Sequence, residues 1–324
     1  MFKIYITRKI SEVGIKILKD KGYEIEVNPK DKILSKKELI KALKGKNYDG
    51  ILCLLTDKID KDIFETAGPK VKIFANMAAG FDNFDVEAAK AKNIIITNTP
   101  EVLTETVAEH TFALMLAITH RIPEADRFTR AGKFKGWEPM LFLGTDLSKK
   151  TLGVVGLGRI GSRVAHHAVK GFEMRVLYHD IKQNQEFEQE FGAIYKSNLD
   201  DLLKEADFIS IHVPLIESTR HLINGARLKI MKPTAYLINT SRGAVIDEKA
   251  LVSALKNKII KGAALDVFEN EPKLSKGLEK LDNVILTPHI ASATEETRNK
   301  MSELAAQNII EALEGRIPPN LVKI

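Results

Sequence analysis

Short apolar runs alternate with amphipathic stretches of helix length along almost the whole chain, which has 324 residues. This rhythm is typical of α/β architecture, in which helices join parallel strands. In the N-terminal part, strands are predicted over 3–7, 23–27, 50–54, 71–75 and 94–97. Further along, strands are predicted over 151–155, 174–179, 208–213, 235–239, 263–266 and 284–287. The second set suits a Rossmann-type doubly wound parallel sheet, and the length suggests two domains.

Three longer segments connect or follow these strands. A helix is predicted from about Pro100 to His120, because proline fits a first helical turn and apolar residues follow. Residues 122–147 look less regular and contain an apolar cluster, which is typical of an interface. An amphipathic helix is predicted over 294–313. It follows the last strand, so it can return to the first domain and make that domain discontinuous.

The composition narrows the possible partners and compartments. Lys and Arg (49) outnumber Asp and Glu (43), which gives a net charge of +6. The basic residues are dispersed among acidic ones, so a nucleic-acid partner is not predicted. The single cysteine, Cys53, lies in an apolar run and is expected to be buried in a protein from a reducing compartment. Neither a signal peptide nor a run of about 18 apolar residues is present, so we expect a cytoplasmic protein without a membrane partner.

A glycine-rich loop follows the first strand of the second set, with the sequence Gly156-Leu157-Gly158-Arg159-Ile160-Gly161. In dinucleotide-binding folds the first glycine allows a tight turn and the second lets the backbone approach a pyrophosphate. The third allows close packing of helix and strand. The pyrophosphate then lies at a helix N-terminus, where backbone amides and the helix dipole favour an anion. On its own this motif is weak evidence for a cofactor.

The strand that follows the loop supports a dinucleotide site. It ends at Asp180, roughly 20 residues after Gly161, which is the spacing of the acidic residue that binds the adenosine ribose. A carboxylate there accepts hydrogen bonds from the ribose hydroxyls and repels a 2′-phosphate. The sequence therefore predicts NAD as the cofactor, with NADH preferred over NADPH. The alternative is a structural turn with a surface aspartate.

Ligands of doubly wound sheets bind beyond the carboxyl ends of the strands. The later strands are followed by Val213-Pro214, Asn239-Thr240-Ser241-Arg242-Gly243, Asp266 and Thr287-Pro288-His289. Arginine binds a carboxylate or carbonyl through two parallel hydrogen bonds, and histidine exchanges protons near neutral pH. Topology thus predicts that Arg242, Asp266 and His289 converge on one crevice, as a 2-hydroxyacid/2-oxoacid site requires. A turn salt bridge at Arg242 and a structural role for His289 remain open on this evidence.

Glu271 lies just beyond the fifth strand of the second set and is a candidate partner for His289. A carboxylate beside an imidazole favours its protonated form, which can donate a proton when a carbonyl is reduced. The alternative is a solvated surface acid. No metal site is predicted.

Four segments together carry a resemblance that covers essentially the whole chain. They are the glycine loop with Asp180, residues 238–243 (INTSRG), residues 262–272 (GAALDVFENEP) and residues 286–291 (LTPHIA). Because these four segments occur in this order and at this spacing, the chain resembles the D-isomer-specific 2-hydroxyacid dehydrogenases. Residues 76–83 (NMAAGFDN) and 137–144 (WEPMLFLG) are similar to the glyoxylate/hydroxypyruvate reductase branch of that family.

The resemblance implies roles for individual residues. Arg242 would hold the substrate carboxylate and carbonyl, His289 would be the proton donor in reduction, and Glu271 would hydrogen-bond His289. Implied substrate-binding residues are Leu55, Ala79, Gly80 and Trp137, with Trp137 reaching the site of a neighbouring subunit. Predicted cofactor contacts are Gly156, Gly158, Arg159, Ile160, Gly161, Asp180, Val213, Pro214, Thr240, Ser241 and Asp266.

The resemblance also implies a domain division and a function. Residues 1–98 with 291–324 would form a flavodoxin-like substrate domain, and residues 99–290 an NAD-binding Rossmann domain, in a homodimer. The predicted activity is NADH-dependent reduction of small 2-oxoacids, with glyoxylate and hydroxypyruvate as leading substrates. One alternative is D-3-phosphoglycerate dehydrogenase, which shares these motifs, although the chain stops at Ile324 without a regulatory domain. The other is an NADH-sensing corepressor, against which the complete set of Arg242, Glu271 and His289 argues.

Overall fold

A computed structural model describes residues 1–323, which form two compact units. The first comprises Met1–Leu103 with the C-terminal residues from Ser292, and the second comprises Thr104–Ala291. Each unit is built on one all-parallel sheet, so the predicted α/β class is confirmed. The assignment of substrate to one unit and cofactor to the other stays a prediction.

Twelve strands and twelve α-helices are formed within residues 1–323. The strands are β1 (Lys3–Ile6), β2 (Glu24–Val27), β3 (Gly50–Cys53), β4 (Ile73–Asn76), β5 (Ile95–Thr97), β6 (Thr151–Val155), β7 (Arg175–His179), β8 (Ile194–Tyr195), β9 (Phe208–Ile211), β10 (Tyr236–Asn239), β11 (Gly262–Leu265) and β12 (Val284–Leu286). The helices are α1 (Glu12–Asp20), α2 (Lys36–Leu43), α3 (Lys61–Ala67), α4 (Val86–Ala91), α5 (Thr104–Thr119), α6 (Ile122–Arg130), α7 (Arg159–Phe172), α8 (Gln185–Phe191), α9 (Leu199–Glu205), α10 (Gly225–Ile230), α11 (Glu248–Lys256) and α12 (Glu295–Leu313).

The sheet of the first unit has the strand order β2-β1-β3-β4-β5, which is the flavodoxin-like order. Its central strands β3 and β4 are buried at every residue, as expected where helices cover both faces of a parallel sheet. Helix α2 begins with a capping box, in which Ser35 and Glu38 each accept from the other's backbone amide. Helix α12, although last in the chain, packs in this unit against α1.

The sheet of the second unit has the order β12-β11-β10-β9-β6-β7-β8. The chain runs outward from β6 to β8, returns to pair β9 beside β6, and then continues outward in the opposite direction. This reversal between β6 and β9 is the switch point at which doubly wound sheets bind ligands. Apolar side chains cover both faces of the sheet in two separate core clusters, one containing Leu237 and the other Ile238.

The structure corrects three local predictions. Helix α5 begins at Thr104 rather than Pro100, because Glu101 has a φ of 69°, a left-handed conformation that cannot continue an α-helix. The stretch predicted to be irregular contains α6, in which no residue is buried; Arg121 pairs with Glu124 at its start. The second sheet has a seventh strand, β8, which was missed because it is only two residues long.

Among the helices within residues 1–323, none is both long and apolar enough to cross a bilayer. In the same part of the chain, no group of three or more His, Cys, Asp or Glu side chains is arranged to hold a metal ion.

Candidate active site

The three glycines of the segment 156–161, which spans the turn after β6 and the first residues of α7, meet different constraints. Gly156 has a φ of 94°, which favours glycine, and a Cβ atom there would lie 2.9 Å from the carbonyl oxygen of His212. A Cβ atom on Gly161 would lie 1.9 Å from the carbonyl oxygen of Gly156, so helix and loop pack too closely for any side chain. A Cβ atom on Gly158 would meet nothing within 4 Å. Packing therefore explains Gly156 and Gly161, but it does not explain Gly158.

Helix α7 begins within this segment, directly after Gly158, with Arg159 and Ile160 as its first two residues. Gly158 is its N-cap and supplies no capping side chain. The backbone amides of the first turn are thus available to an anionic group, which the helix dipole also favours. Open space at Gly158 and an uncapped helix end fit the pyrophosphate of a dinucleotide.

Asp180 follows β7 and contacts the glycine loop. Its Oδ2 accepts a hydrogen bond of 2.6 Å from the backbone amide of Leu157. The carboxylate is therefore held beside the loop, at the place where the sequence predicts the adenosine ribose. Val213, beyond β9, approaches the same loop, since a Cβ atom on Gly156 would lie 2.9 Å from its Cγ1. Pro214 follows, and its carbonyl oxygen accepts from the Thr219 hydroxyl at 2.6 Å.

The segment after β10 is organised by the buried side chain of Asn239. Its Nδ2 donates to the carbonyl oxygen of Arg242 at 2.9 Å, and its Oδ1 accepts from the amide and hydroxyl of Ser241. Arg242 Nη1 donates to the carbonyl oxygen of Ser241 at 2.8 Å. Thr240 faces the buried Thr111 of α5, with 3.1 Å between the hydroxyl oxygens. The loop that carries Arg242 is therefore fixed by side-chain to backbone bonds.

Asp266, directly after β11, is fully buried and anchors the residues around His289. Its Oδ1 accepts from the Thr287 hydroxyl at 2.6 Å and from the Ile290 amide at 2.9 Å, while its Oδ2 accepts from the Ala291 amide at 2.8 Å. Burial acts to raise the pKa of this carboxyl, but hydrogen bonds from His110, Thr287 and these amides outweigh it and lower the pKa. The residue predicted to lie near the nicotinamide thus binds the Thr287 side chain before His289 and the backbone after it.

His289 and Glu271 form a direct pair. The Nδ1 atom of His289 lies 3.0 Å from Glu271 Oε2, and Glu271 Oε1 accepts from the Phe268 amide at 3.0 Å. His289 has a φ of 55°, and its amide donates to the carbonyl oxygens of Asp266 and Thr287. Such left-handed backbone in a non-glycine residue is costly and is concentrated at functional sites. With Nδ1–H donating to the carboxylate, Nε2 is the nitrogen that can exchange a proton with a ligand.

The four predicted substrate-binding residues lie in loops that follow strands or helices of their own unit. In the first unit, Leu55 follows β3, and Ala79 and Gly80 follow β4. Asn98 Nδ2 donates to the carbonyl oxygen of Ala79 at 2.6 Å, and Asn76 Nδ2 donates to that of Gly80 at 2.8 Å. In the second unit, Trp137 lies after α6 with 84% of its surface exposed, which is unusual for a tryptophan.

Sequence reasoning missed three polar residues that border this site. Glu248, Glu269 and His221 form a hydrogen-bonded group against the loops of Arg242 and Glu271. Glu269 lies within the 262–272 segment, but nothing in that segment indicates its contacts with Glu248 and His221, which are distant in the sequence. His110 was also missed; its Nε2 lies 3.5 Å from Asp266 Oδ1.

The chain is similar to known proteins over nearly its whole length. The family model for the D-isomer specific 2-hydroxyacid dehydrogenase NAD binding domain matches residues 112–291. A glyoxylate reductase of Thermococcus litoralis is 51% identical over 99% of this chain and 96% of its own length. A glyoxylate reductase of Pyrococcus horikoshii is 49% identical over 99% and 95%.

Solved structures show the same likeness. A protein of Thermus thermophilus superposes with a TM-score of 0.92 at 41% identity, covering 99% of this chain and 100% of that one. An NADPH-dependent glyoxylate/hydroxypyruvate reductase of Sinorhizobium meliloti, in complex with NADP and malonate, has a TM-score of 0.87 at 32% identity, covering 99% and 96%. The glycine loop, the paired His289 and Glu271 and these full-length similarities lead to one conclusion: the chain belongs to the D-isomer specific 2-hydroxyacid dehydrogenase family.

Proposed function

We propose that the protein reduces glyoxylate and hydroxypyruvate, with NADH, to glycolate and D-glycerate. The observation that carries this proposal is the His289–Glu271 pair. Its two residues follow β12 and β11, which belong to the same parallel sheet as β6, the strand before the glycine loop. A proton donor and a dinucleotide loop at one sheet are what carbonyl reduction needs. The choice of substrate is supported by the relatives named glyoxylate reductase.

The residues around the glycine loop suit NAD. Gly158 leaves room for a pyrophosphate, and the uncapped first turn of α7 offers amides to it. The Asp180 carboxylate, held beside the loop, would accept from the ribose hydroxyls and repel a 2′-phosphate. NADH is therefore the expected donor, although the Sinorhizobium relative is described as NADPH-dependent.

In the proposed reaction, Arg242 binds the substrate carboxylate and carbonyl oxygen through parallel hydrogen bonds. NADH, which the glycine loop and Asp180 would hold, would supply the hydride for the carbonyl carbon. The Arg242 guanidinium stabilises negative charge that develops on the carbonyl oxygen. His289 donates a proton from Nε2 to this oxygen, so the 2-oxoacid becomes a 2-hydroxyacid. Glu271 holds the imidazole through Nδ1, which leaves Nε2 as the nitrogen that exchanges the proton.

Four further residues are proposed to complete the substrate site. The backbone amides of Ala79 and Gly80 would bind the carboxylate, and Leu55 would contact the substrate carbon chain. Trp137 is proposed to contribute across a homodimer interface, in line with its exposure. Sedimentation of the purified protein would show a dimer, and Trp137→Ala would lower activity; a fully active monomer would contradict both roles.

A turnover panel tests the proposed function. The purified protein is given NADH or NADPH with glyoxylate, hydroxypyruvate, pyruvate, 2-oxoglutarate or phosphohydroxypyruvate, and oxidation of the nicotinamide is followed. Fast turnover of NADH with glyoxylate or hydroxypyruvate is expected. Turnover only with the phosphorylated acid would instead indicate a phosphoglycerate dehydrogenase. Tight NADH binding without turnover of any acid would indicate an NADH sensor.

The role of Arg242 has its own test. Arg242→Ala is expected to lower kcat/KM for glyoxylate by about 10²–10³, the usual effect of removing a donor to a developing oxyanion. NADH affinity, measured by fluorescence titration, should change little, since Arg242 is assigned to the substrate. Retained turnover would refute the assignment.

A further inference from the structure

The segment that carries Glu271 is held at both ends by one buried carboxylate. Glu248, the first residue of α11, is only 2% exposed. Its Oε2 accepts from the Glu269 amide at 2.9 Å, and its Oε1 accepts from the Ser275 amide at 3.1 Å. The two amides lie on either side of Glu271, so a single side chain fixes both ends of the segment between them.

Glu269 in turn contacts the backbone of Glu248 and also contacts His221. Its Oε2 accepts from the Glu248 amide at 3.4 Å, so each glutamate accepts from the backbone of the other. Its Oε1 lies 2.7 Å from His221 Nε2 and 3.5 Å from Arg220 Nη2. Two adjacent carboxylates would repel each other without such partners. The helix dipole at the start of α11 further favours negative charge there.

The same group reaches the loop of Arg242. The His221 amide donates to the carbonyl oxygen of Ala244 at 2.8 Å. A Cβ atom on Gly243 would lie 1.9 Å from the carbonyl carbon of Phe268, so the two loops touch backbone to backbone. The loops of Arg242 and Glu271 are therefore in direct contact and are also joined through His221 and Glu269.

We propose that Glu248, Glu269 and His221 are positioning residues, which set the place of the Glu271 carboxylate, and through it His289, relative to Arg242. They act through these residues and touch neither substrate nor cofactor. The inference rests on the proposed function for its kinetic consequence, because Glu271 must orient the proton donor for its placement to affect turnover. Displacement of a catalytic group by about 1 Å can cost about 10²-fold in rate.

Glu248→Gln tests this proposal, because glutamine keeps the shape of the side chain but can accept at only one of the two amides. We expect kcat for glyoxylate reduction to fall about tenfold or more, while the Kd for NADH stays within about twofold. Asp207→Asn is the matched control. Asp207 also binds a backbone amide, that of Thr151, and pairs with Lys232, but it precedes β9 at the opposite end of the sheet. This control should keep the wild-type kcat.

A double variant separates positioning from general destabilisation. In a Glu271→Gln background the carboxylate to be placed is already gone, so adding Glu248→Gln should leave kcat unchanged. If the two substitutions lower kcat independently, or if Asp207→Asn lowers it equally, the proposal fails. Glu269→Gln replaces Glu248→Gln in the same design if the latter does not fold, since Glu269 is less buried.

Hydrogen exchange gives a readout that does not depend on turnover. Glu248→Gln should accelerate amide exchange in the peptide over residues 268–275, and Asp207→Asn should not. Unchanged exchange would overturn the proposed positioning of this segment by Glu248, even if the wild-type protein reduced none of the acids in the panel. An inactive wild-type protein with accelerated exchange would instead refute the proposed function and, with it, the kinetic part of this proposal.

Discussion

Replacing Gly158 with alanine is expected to weaken NADH binding while leaving the fold almost intact. A Cβ atom at this position meets nothing within 4 Å, and the backbone angles, φ −73° and ψ −164°, are allowed for alanine. Gly158 is the N-cap of α7, where alanine is less favoured than glycine by up to about 1 kcal/mol. The cost to folding is therefore small.

The cost to binding is larger, because the added methyl group occupies the space that a pyrophosphate needs. An extra methyl group in a tightly packed site typically costs about 1–3 kcal/mol. This corresponds to a Kd for NADH that is roughly 5- to 150-fold higher. Titration of the fluorescence of NADH measures this Kd directly, and urea denaturation of the same samples measures the free energy of unfolding.

Gly161→Ala is the contrasting variant. Its Cβ atom would lie 1.9 Å from the carbonyl oxygen of Gly156, so helix and loop must move apart. We expect its free energy of unfolding to fall by at least about 1–3 kcal/mol, the range for overpacked cores. If Gly158→Ala binds NADH as tightly as the wild type does, the loop is not the pyrophosphate site and the reasoning is refuted.

Two further predictions concern charge. Asp180→Asn keeps an acceptor for the Leu157 amide but removes a charge that would repel a 2′-phosphate by about 1–4 kcal/mol. The preference in kcat/KM for NADH over NADPH should therefore fall about tenfold or more. An unchanged preference would contradict the role of Asp180. Burial lowers the pKa of His212 from 6.5 to about 3. Between these pH values the unfolded chain binds a proton that the folded protein does not. Its stability should therefore fall on acidification by up to about 1.4 kcal/mol per pH unit. His212→Asn should remove this dependence in urea denaturation at pH 7 and pH 5, and an equal loss of stability in both proteins would count against it.

Much of the second unit was predictable, because its signals are local. The glycine loop lies between a strand and a helix as expected, and Asp180 follows the next strand. Strand positions were also predictable, since strands buried on both faces appear as continuous apolar runs. Helix α6 was not, because in its nine residues only a short series, Ile122, Ala125 and Phe128, marks the helical period.

Contacts between distant residues could not be predicted from one sequence. Glu248 accepts from the amides of Glu269 and Ser275, which lie in the segment after β11 and come close to Glu248 only in the folded chain. Likewise, the resemblance of the 262–272 segment predicts an acid beside His289. It does not show that the Asp266 carboxylate accepts hydrogen bonds from the Thr287 hydroxyl and from two backbone amides. Such roles depend on three-dimensional packing.

Direct transfer of hydride from NADH to glyoxylate is the central claim. It is tested by giving the purified protein glyoxylate and NADH in which both hydrogens at nicotinamide C4 are replaced by deuterium, and by analysing the product by mass spectrometry. The proposed function predicts glycolate with one deuterium on the carbon that bears the hydroxyl group. Consumption of NADH without labelled glycolate, or tight binding of NADH without any glycolate, would contradict it.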